Sequence, residues 1–218
     1  MKKKQLKKLL KKNWQKYLAT TLVIFFIVRL LSPFISIVFL EIKYNLNKSS
    51  NLDNNSQILE ETIVKDYQLI IPKVLINKPI IINVDAKNED VYLEAIKNGI
   101  AHAKGSSLPG NPGLGYYFAH SSNSDYRYQT NAVFYLLGKL ELDDMVYIKD
   151  SYGEILEYKV TDKKTTLPSE LDFLRKEYKK ETIVLQTCWP PGRTIKRMLV
   201  FATRVDNNPS YQKKSLIE

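Results

Sequence analysis

The stretch LATTLVIFFIVRLLSPFISIVFL, residues 18–40, limits what this chain can do in water more than any other feature. Seventeen of its 23 residues are Ala, Val, Ile, Leu or Phe. As a helix it spans roughly 34 Å, enough for a hydrocarbon core of about 30 Å. Arg29 near its middle costs roughly 2.5–3.5 kcal/mol on insertion scales, which so many apolar neighbours offset. Pro33 is expected to kink the helix. The run is too long for the apolar core of a cleaved signal peptide, and no small-residue cleavage site follows it, so an uncleaved anchor is expected.

The flanks set the orientation. Eight lysines precede the run, whereas Lys43 and Lys48 alone follow within ten residues. The positive-inside rule then places the N-terminus in the cytoplasm and residues 41–218 outside the membrane. The same lysines account for the net charge of +10. Nine of the 33 basic residues precede the first acid, Glu41, leaving 24 basic against 23 acidic residues beyond it. A nearly neutral folded part argues against nucleic-acid binding. The expected organisation is a basic tail at 1–17, a transmembrane anchor at 18–40, a polar linker at 41–62, a folded domain at 63–206 and a tail at 207–218. Within the linker, NLNKSSNLDNNSQ (45–57) carries five Asn and three Ser and reads as a flexible spacer.

Beyond the spacer the apolar runs are short and β-branched, with turn residues between them. Strands are expected at 67–71, 80–84, 100–103, 115–120, 145–149, 155–164, 182–188 and 195–205. Asn88 is placed to cap a helix over 89–97, with Asn98-Gly99 ending it. Pro168 is placed to open a second helix across PSELDFLRKEYKK, and a third short helical segment is expected near 132–140. Eight short strands with few helices predict a mainly β fold: a closed eight-stranded barrel or a sandwich.

The single cysteine, Cys188, ends one of these strands, and no intramolecular disulfide is possible. With the hairpin loop at 189–194, Cys188 pairs with Ile195, and Arg197 lies on the same face one diagonal step away. A guanidinium there favours the thiolate and can bind an oxyanion. The general acid and base must come from the two histidines, His102 and His120, and spacing alone does not choose between them. A buried, inert thiol in a non-enzymatic, membrane-anchored binding domain is the competing reading.

LQTC (185–188) followed by KRMLVFA (196–202) resembles the cysteine and arginine strands of sortases, membrane-anchored transpeptidases of bacterial surfaces. IPKVLINKPI (71–80), GIAHAKGSSLPG (99–110) and YYFAHSS (116–122) are similar to further sortase segments, in the same order. The resemblance covers about residues 67–205 and implies a sortase-like β-barrel. It implies Cys188 as nucleophile, His120 as general acid and base, and Arg197 as the catalytic arginine. His102 falls in a segment the family uses structurally. Thr187 matches a threonine that helps hold substrate or oxyanion, and Trp189, beside the nucleophile, is expected to contact substrate. Val184 stands where the family has its first threonine, and WPPGRT after Cys188 leaves the subclass open. The implied partners are surface proteins or pilins with a C-terminal sorting motif of the LPxTG kind, and an amine acceptor from a peptidoglycan precursor or a pilin. Residues 167–180 are expected as a specificity loop over a groove on the barrel wall. No acidic cluster suits calcium, so no metal and no cofactor is expected. Other thiol enzymes fit less well: papain-like peptidases place cysteine before histidine, L,D-transpeptidases carry an S-H-G-C stretch, and chymotrypsin-like cysteine proteases want glycines at the nucleophile.

Overall fold

A computed structural model of the chain describes residues 2–49, 67–122 and 132–205. It divides into two compact units, residues 1–46 and 47–218. Helix α1 runs from Lys2 to Ser49. Its two consecutive threonines turn their hydroxyls back on the helix, Thr20 to the Lys16 carbonyl and Thr21 to the Tyr17 carbonyl, both at 2.8 Å. Leu22, Phe26 and Leu30 are exposed along it. Among the described residues no helix is long and apolar enough to cross a membrane. The side chains of residues 31–36, inside the expected span and including Pro33, lie outside that description. The expected linker begins as a continuation of α1, because no Gly or Pro interrupts residues 41–49. Residues 50–66 and the tail at 206–218 lie outside the described residues.

The second unit is a closed barrel of eight strands. In chain order they are β1 (Gln68–Ile71), β2 (Ile76–Val84), β3 (Ile100–Ala103), β4 (Leu114–Phe118), β5 (Met145–Lys149), β6 (Ile155–Thr166), β7 (Thr182–Trp189) and β8 (Lys196–Arg204). Around the barrel the order is β1-β2-β3-β4-β7-β8-β6-β5, and β5 pairs with β1 to close it. All pairings are antiparallel except β2 with β3 and β4 with β7. A barrel leaves no open edge, so every strand has a partner on both sides.

Alternation along the strands builds the interior. Val146 and Ile148 on β5, Leu156, Tyr158 and Val160 on β6, and Tyr117 on β4 are buried between more exposed neighbours. The register aligns Tyr117 with Leu185 and Leu185 with Val200, so one inward face continues across β4, β7 and β8. The opposite parity on these three strands forms the outer wall. There Val184, Leu199 and Phe201 are buried under Phe173, with Leu114, Tyr116 and Tyr178 around them.

Helix α2 (Glu89–Asn98) links the parallel pair β2 and β3. The Asn88 side chain accepts from the Val91 N–H at 3.3 Å, as its N-cap position predicts. Its apolar face packs Ala95 and Ile96 on Val84 and Ala101. Gly99 ends it at the closest backbone approach in this part of the fold: a Cβ there would stand 2.4 Å from the Pro79 carbonyl oxygen. β2 starts four residues earlier than the sequence suggests, because Pro79 is accommodated inside it opposite Gln68.

The helix expected from Pro168 is a single turn, α3 (Asp172–Arg175). Lys176 is already extended, and the Tyr178 hydroxyl donates to the Phe173 carbonyl at 3.0 Å. Docking Phe173 and Tyr178 on the outer wall holds this connection as a strap and leaves no room for a longer helix. Near 132–140 the expected helical segment is a run of turns with one 3-10 turn, Leu137–Lys139. Phe134, Leu137 and Leu140 are fully buried there.

Candidate active site

Three neighbouring strands supply the candidate residues. β4 runs parallel to β7, with Tyr116 level with Val184 and Phe118 level with Gln186. Continued two residues past the end of β4, that register sets His120 level with Cys188. The contact does continue: the Ala119 N–H donates to the Gln186 carbonyl at 3.3 Å. On the other side, β8 runs antiparallel and Cys188 pairs directly with Arg197. Cys188 and Arg197 are therefore neighbours on the outer wall at the C-terminal end of β7, and His120 follows just past the end of the adjoining β4.

The hairpin register corrects the sequence reading. The loop is 190–195 rather than 189–194, and Cys188 faces Arg197 instead of Ile195. The shift amounts to two residues in the pairing. A pleat repeats every two residues, so the shared face survives and the arginine comes closer to the thiol. Within the loop the Arg193 N–H donates to the Pro190 carbonyl at 2.9 Å, and Gly192 takes a positive φ of 82° that suits glycine.

The cysteine is half-buried. Arg197 donates through Nη1 to the Thr194 carbonyl at 3.0 Å and the Lys196 carbonyl at 3.2 Å. Its Nη2 and Nε make no hydrogen bond among the described residues, which leaves planar donors for a ligand oxygen. Tyr116, on the same wall, has its phenol pushed up by burial, with the Arg197 charge opposing that shift. Burial also holds the His120 imidazole below its ordinary value, favouring the neutral ring.

The two histidines separate clearly. His102 is fully buried. Its Nδ1 accepts from the Asn83 N–H at 3.3 Å, so the ring proton sits on Nε2. Nε2 then donates to the Ser107 carbonyl at 3.0 Å and lies 2.9 Å from Ser106 Oγ. The Ser106 hydroxyl in turn donates to the Ala103 carbonyl and accepts from the Tyr116 N–H. Both nitrogens of His102 are thus committed to holding the turn after β3. His120 lies at the site, and its ring makes no hydrogen bond among the described residues.

Thr187 and Trp189 do not stand where the sequence reading put them. Each neighbours Cys188, so each points to the opposite face of β7. Thr187 is buried, and its hydroxyl donates to the Ala119 carbonyl at 2.9 Å. That proton is engaged in joining β7 to the residue before His120 and is not offered to a substrate. Trp189 packs its ring against Gly138. Within residues 167–180, Phe173 packs on the outer wall. A cleft of about 410 Å³ opens beneath it, lined by Asp162, Lys164, Phe173 and Phe201 among others, and does not include Cys188, His120 or Arg197. Tyr116 is a site-wall residue that sequence reasoning missed; its alternation with the buried Tyr117 was the available signal.

Residues 69–205 match a sequence model of the family described as the sortase domain. No curated protein sequence matches the chain. Among solved structures, sortase C-1 from Actinomyces oris shares 28% identity at a TM-score of 0.55, over 71% of this chain and 83% of that one. A pilus-related sortase C of Group B Streptococcus shares 26% identity at a TM-score of 0.53, over 67% of this chain and 70% of that one. Sortase A from Corynebacterium diphtheriae, at 24% identity and a TM-score of 0.55 over 81% of this chain and 87% of that one, is alike in fold.

Proposed function

Because the chain belongs to the sortase family, we propose that it is a membrane-anchored cysteine transpeptidase acting on an LPxTG-like sorting motif, with Cys188, His120 and Arg197 as its catalytic residues. The observation that supports this reading is the direct pairing of Cys188 with Arg197 between β7 and β8, with His120 two residues past the end of β4, the other neighbour of β7.

The reaction is acyl transfer in two halves. The Cys188 sulfur attacks the carbonyl carbon of the motif threonine, and the thiol proton passes to His120. A neutral His120, favoured by its burial, accepts that proton first and donates it afterwards. The tetrahedral oxyanion is stabilised by Arg197, whose guanidinium is steadied by the Thr194 and Lys196 carbonyls. As the C–N bond breaks, His120 returns the proton to the departing glycine amine and a thioester remains on Cys188. An acceptor amine then attacks the thioester and loses a proton to His120. The C–S bond breaks, and the proton restores the thiol. The pilus-related sortase C among the similar structures favours a pilin lysine as the amine over a peptidoglycan precursor.

The anchor reading rests on the 18–40 run and the lysines before it. It places the catalytic unit outside the cell, with the N-terminus in the cytoplasm.

The test incubates the full chain with an LPxTG-type peptide and either a pilin-lysine peptide or a peptidoglycan-stem amine, with products read by mass spectrometry. Cys188→Ala and His120→Ala must abolish the transpeptidation product, while His102→Ala, where it folds, retains it. A product formed by Cys188→Ala sinks the mechanism. In intact cells a membrane-impermeant maleimide must label the single cysteine; labelling only after lysis sinks the orientation.

A further inference from the structure

The residue after Cys188 lies against a glycine. A Cβ built on Gly138 would stand 2.8 Å from Cζ3 and 2.9 Å from Cη2 of the Trp189 indole, inside any real contact distance. The indole therefore occupies the space a side chain at 138 would need.

The turn beneath it is firmly held. The Lys139 N–H donates to the Leu136 carbonyl at 2.8 Å, and the Leu140 N–H to the Leu137 carbonyl at 3.1 Å. Lys163, reaching in from β6, donates to the Gly138 carbonyl at 3.1 Å and the Leu140 carbonyl at 2.6 Å. Phe134, Leu137 and Leu140 anchor the segment in the core. The same segment touches the other reacting residue: the Phe134 N–H donates to the His120 carbonyl at 2.9 Å. One braced segment, 132–140, thus holds the backbone of His120 and the side chain next to Cys188.

We propose that Gly138 is a positioning residue for the Cys188–His120 pair, because the absence of a side chain there lets Trp189 seat on the 132–140 segment and fix the end of β7. The inference rests on the catalytic assignment above and adds a residue far from it in sequence. Small displacements of reacting groups are costly, on the order of 100-fold for about 1 Å. A Cβ at 138 meets an aromatic ring, which must move as a unit and takes the end of β7 with it. The two clashing atoms belong to the outer edge of the indole, the part that phenylalanine lacks.

The test uses the full chain with Trp14→Phe, which leaves Trp189 as the only tryptophan. Gly138→Ala is expected to shift tryptophan emission and lower kcat about tenfold or more with KM within about twofold. Adding Trp189→Phe to Gly138→Ala is expected to recover most of kcat. Emission that shifts while kcat stays unchanged overturns the proposal, as does a kcat loss that Trp189→Phe leaves in place. If Gly138→Ala fails to fold, Trp189→Ala replaces it: kcat must fall with KM unchanged, and an unchanged kcat overturns the proposal. If the unmodified chain turns over no sorting peptide, the functional reading fails by itself. The rate of Cys188 alkylation by iodoacetamide then serves as readout, expected to change in Gly138→Ala and return in the double variant; no change overturns the positioning role.

Discussion

Replacing Thr187 by valine keeps the branched shape and removes one hydroxyl. That hydroxyl donates to the Ala119 carbonyl at 2.9 Å from a buried position. The methyl that replaces it cannot donate, so a buried carbonyl lone pair loses its partner. Such a loss costs about 1–3 kcal/mol. For a chain of this size about 2 kcal/mol corresponds to a fall in Tm of about 4–8 °C. The same bond ties β7 to the residue before His120, so its loss also loosens the placement of His120 against Cys188, the proposed acid and nucleophile. We expect kcat to fall about tenfold or more with KM nearly constant, because the damaged interaction is between enzyme groups. Thr187→Ser keeps the donor and should restore most of both. The assay is steady-state transpeptidation of a sorting peptide beside thermal denaturation of the three proteins. A raised KM with unchanged kcat would make Thr187 a substrate contact after all and refute this reasoning. A serine variant that loses as much as the valine variant would show that keeping the donor is not sufficient and refute the assignment of the effect to this hydrogen bond alone.

Two further outcomes follow from the same structure. Burial lowers the pKa of both His102 and His120, and for His102 the Ser107 carbonyl only partly opposes it. Folded values below the ordinary 6.5 mean that the unfolded chain binds more protons. Stability is therefore retained above about pH 6.5 and lost as pH falls through the folded values, by up to about 1.4 kcal/mol per pH unit for each histidine. Denaturant melts at pH 7 and pH 5 should show the fall, and His102→Gln should reduce it; an equal slope in that variant would refute the assignment. Gly99→Ala drives a Cβ to 2.4 Å from the Pro79 carbonyl oxygen, an atom of backbone that cannot rotate away. A loss of about 1–3 kcal/mol is expected from such overpacking, read as a lower denaturation midpoint, and an unchanged midpoint would show that β2 yields freely.

The strands were readable because each is a short β-branched run between turn residues, and seven of the eight lie within two residues of their expected ends at both termini. β2 was truncated in the reading because Pro79 looks like a strand breaker when its pairing partner is unknown. The helix at Pro168 was over-extended because the pattern of leucines and charges is helical, whereas the docking of Phe173 and Tyr178 on the wall decides the outcome. Strand parity placed Arg197 correctly beside Cys188 even though the register was two residues off. The same parity already put Thr187 and Trp189 on the opposite face from Cys188, and only the family pattern suggested substrate contact for Thr187. The brace at Gly138 was invisible: a glycine in a row of leucines says nothing until the ring that lies against it is known.

The parallel pairing of β4 with β7 has a consequence for when the site exists. Parallel neighbours need a long crossover, and here His120 and Cys188 are separated by β5, β6 and the strap that carries α3. The tie between Thr187 and Ala119 spans 68 residues of chain. Contacts so distant in sequence form late, because loop closure must precede them. A half-folded chain therefore carries Cys188 apart from His120, and the two strands that bear them meet only with the closing of the barrel.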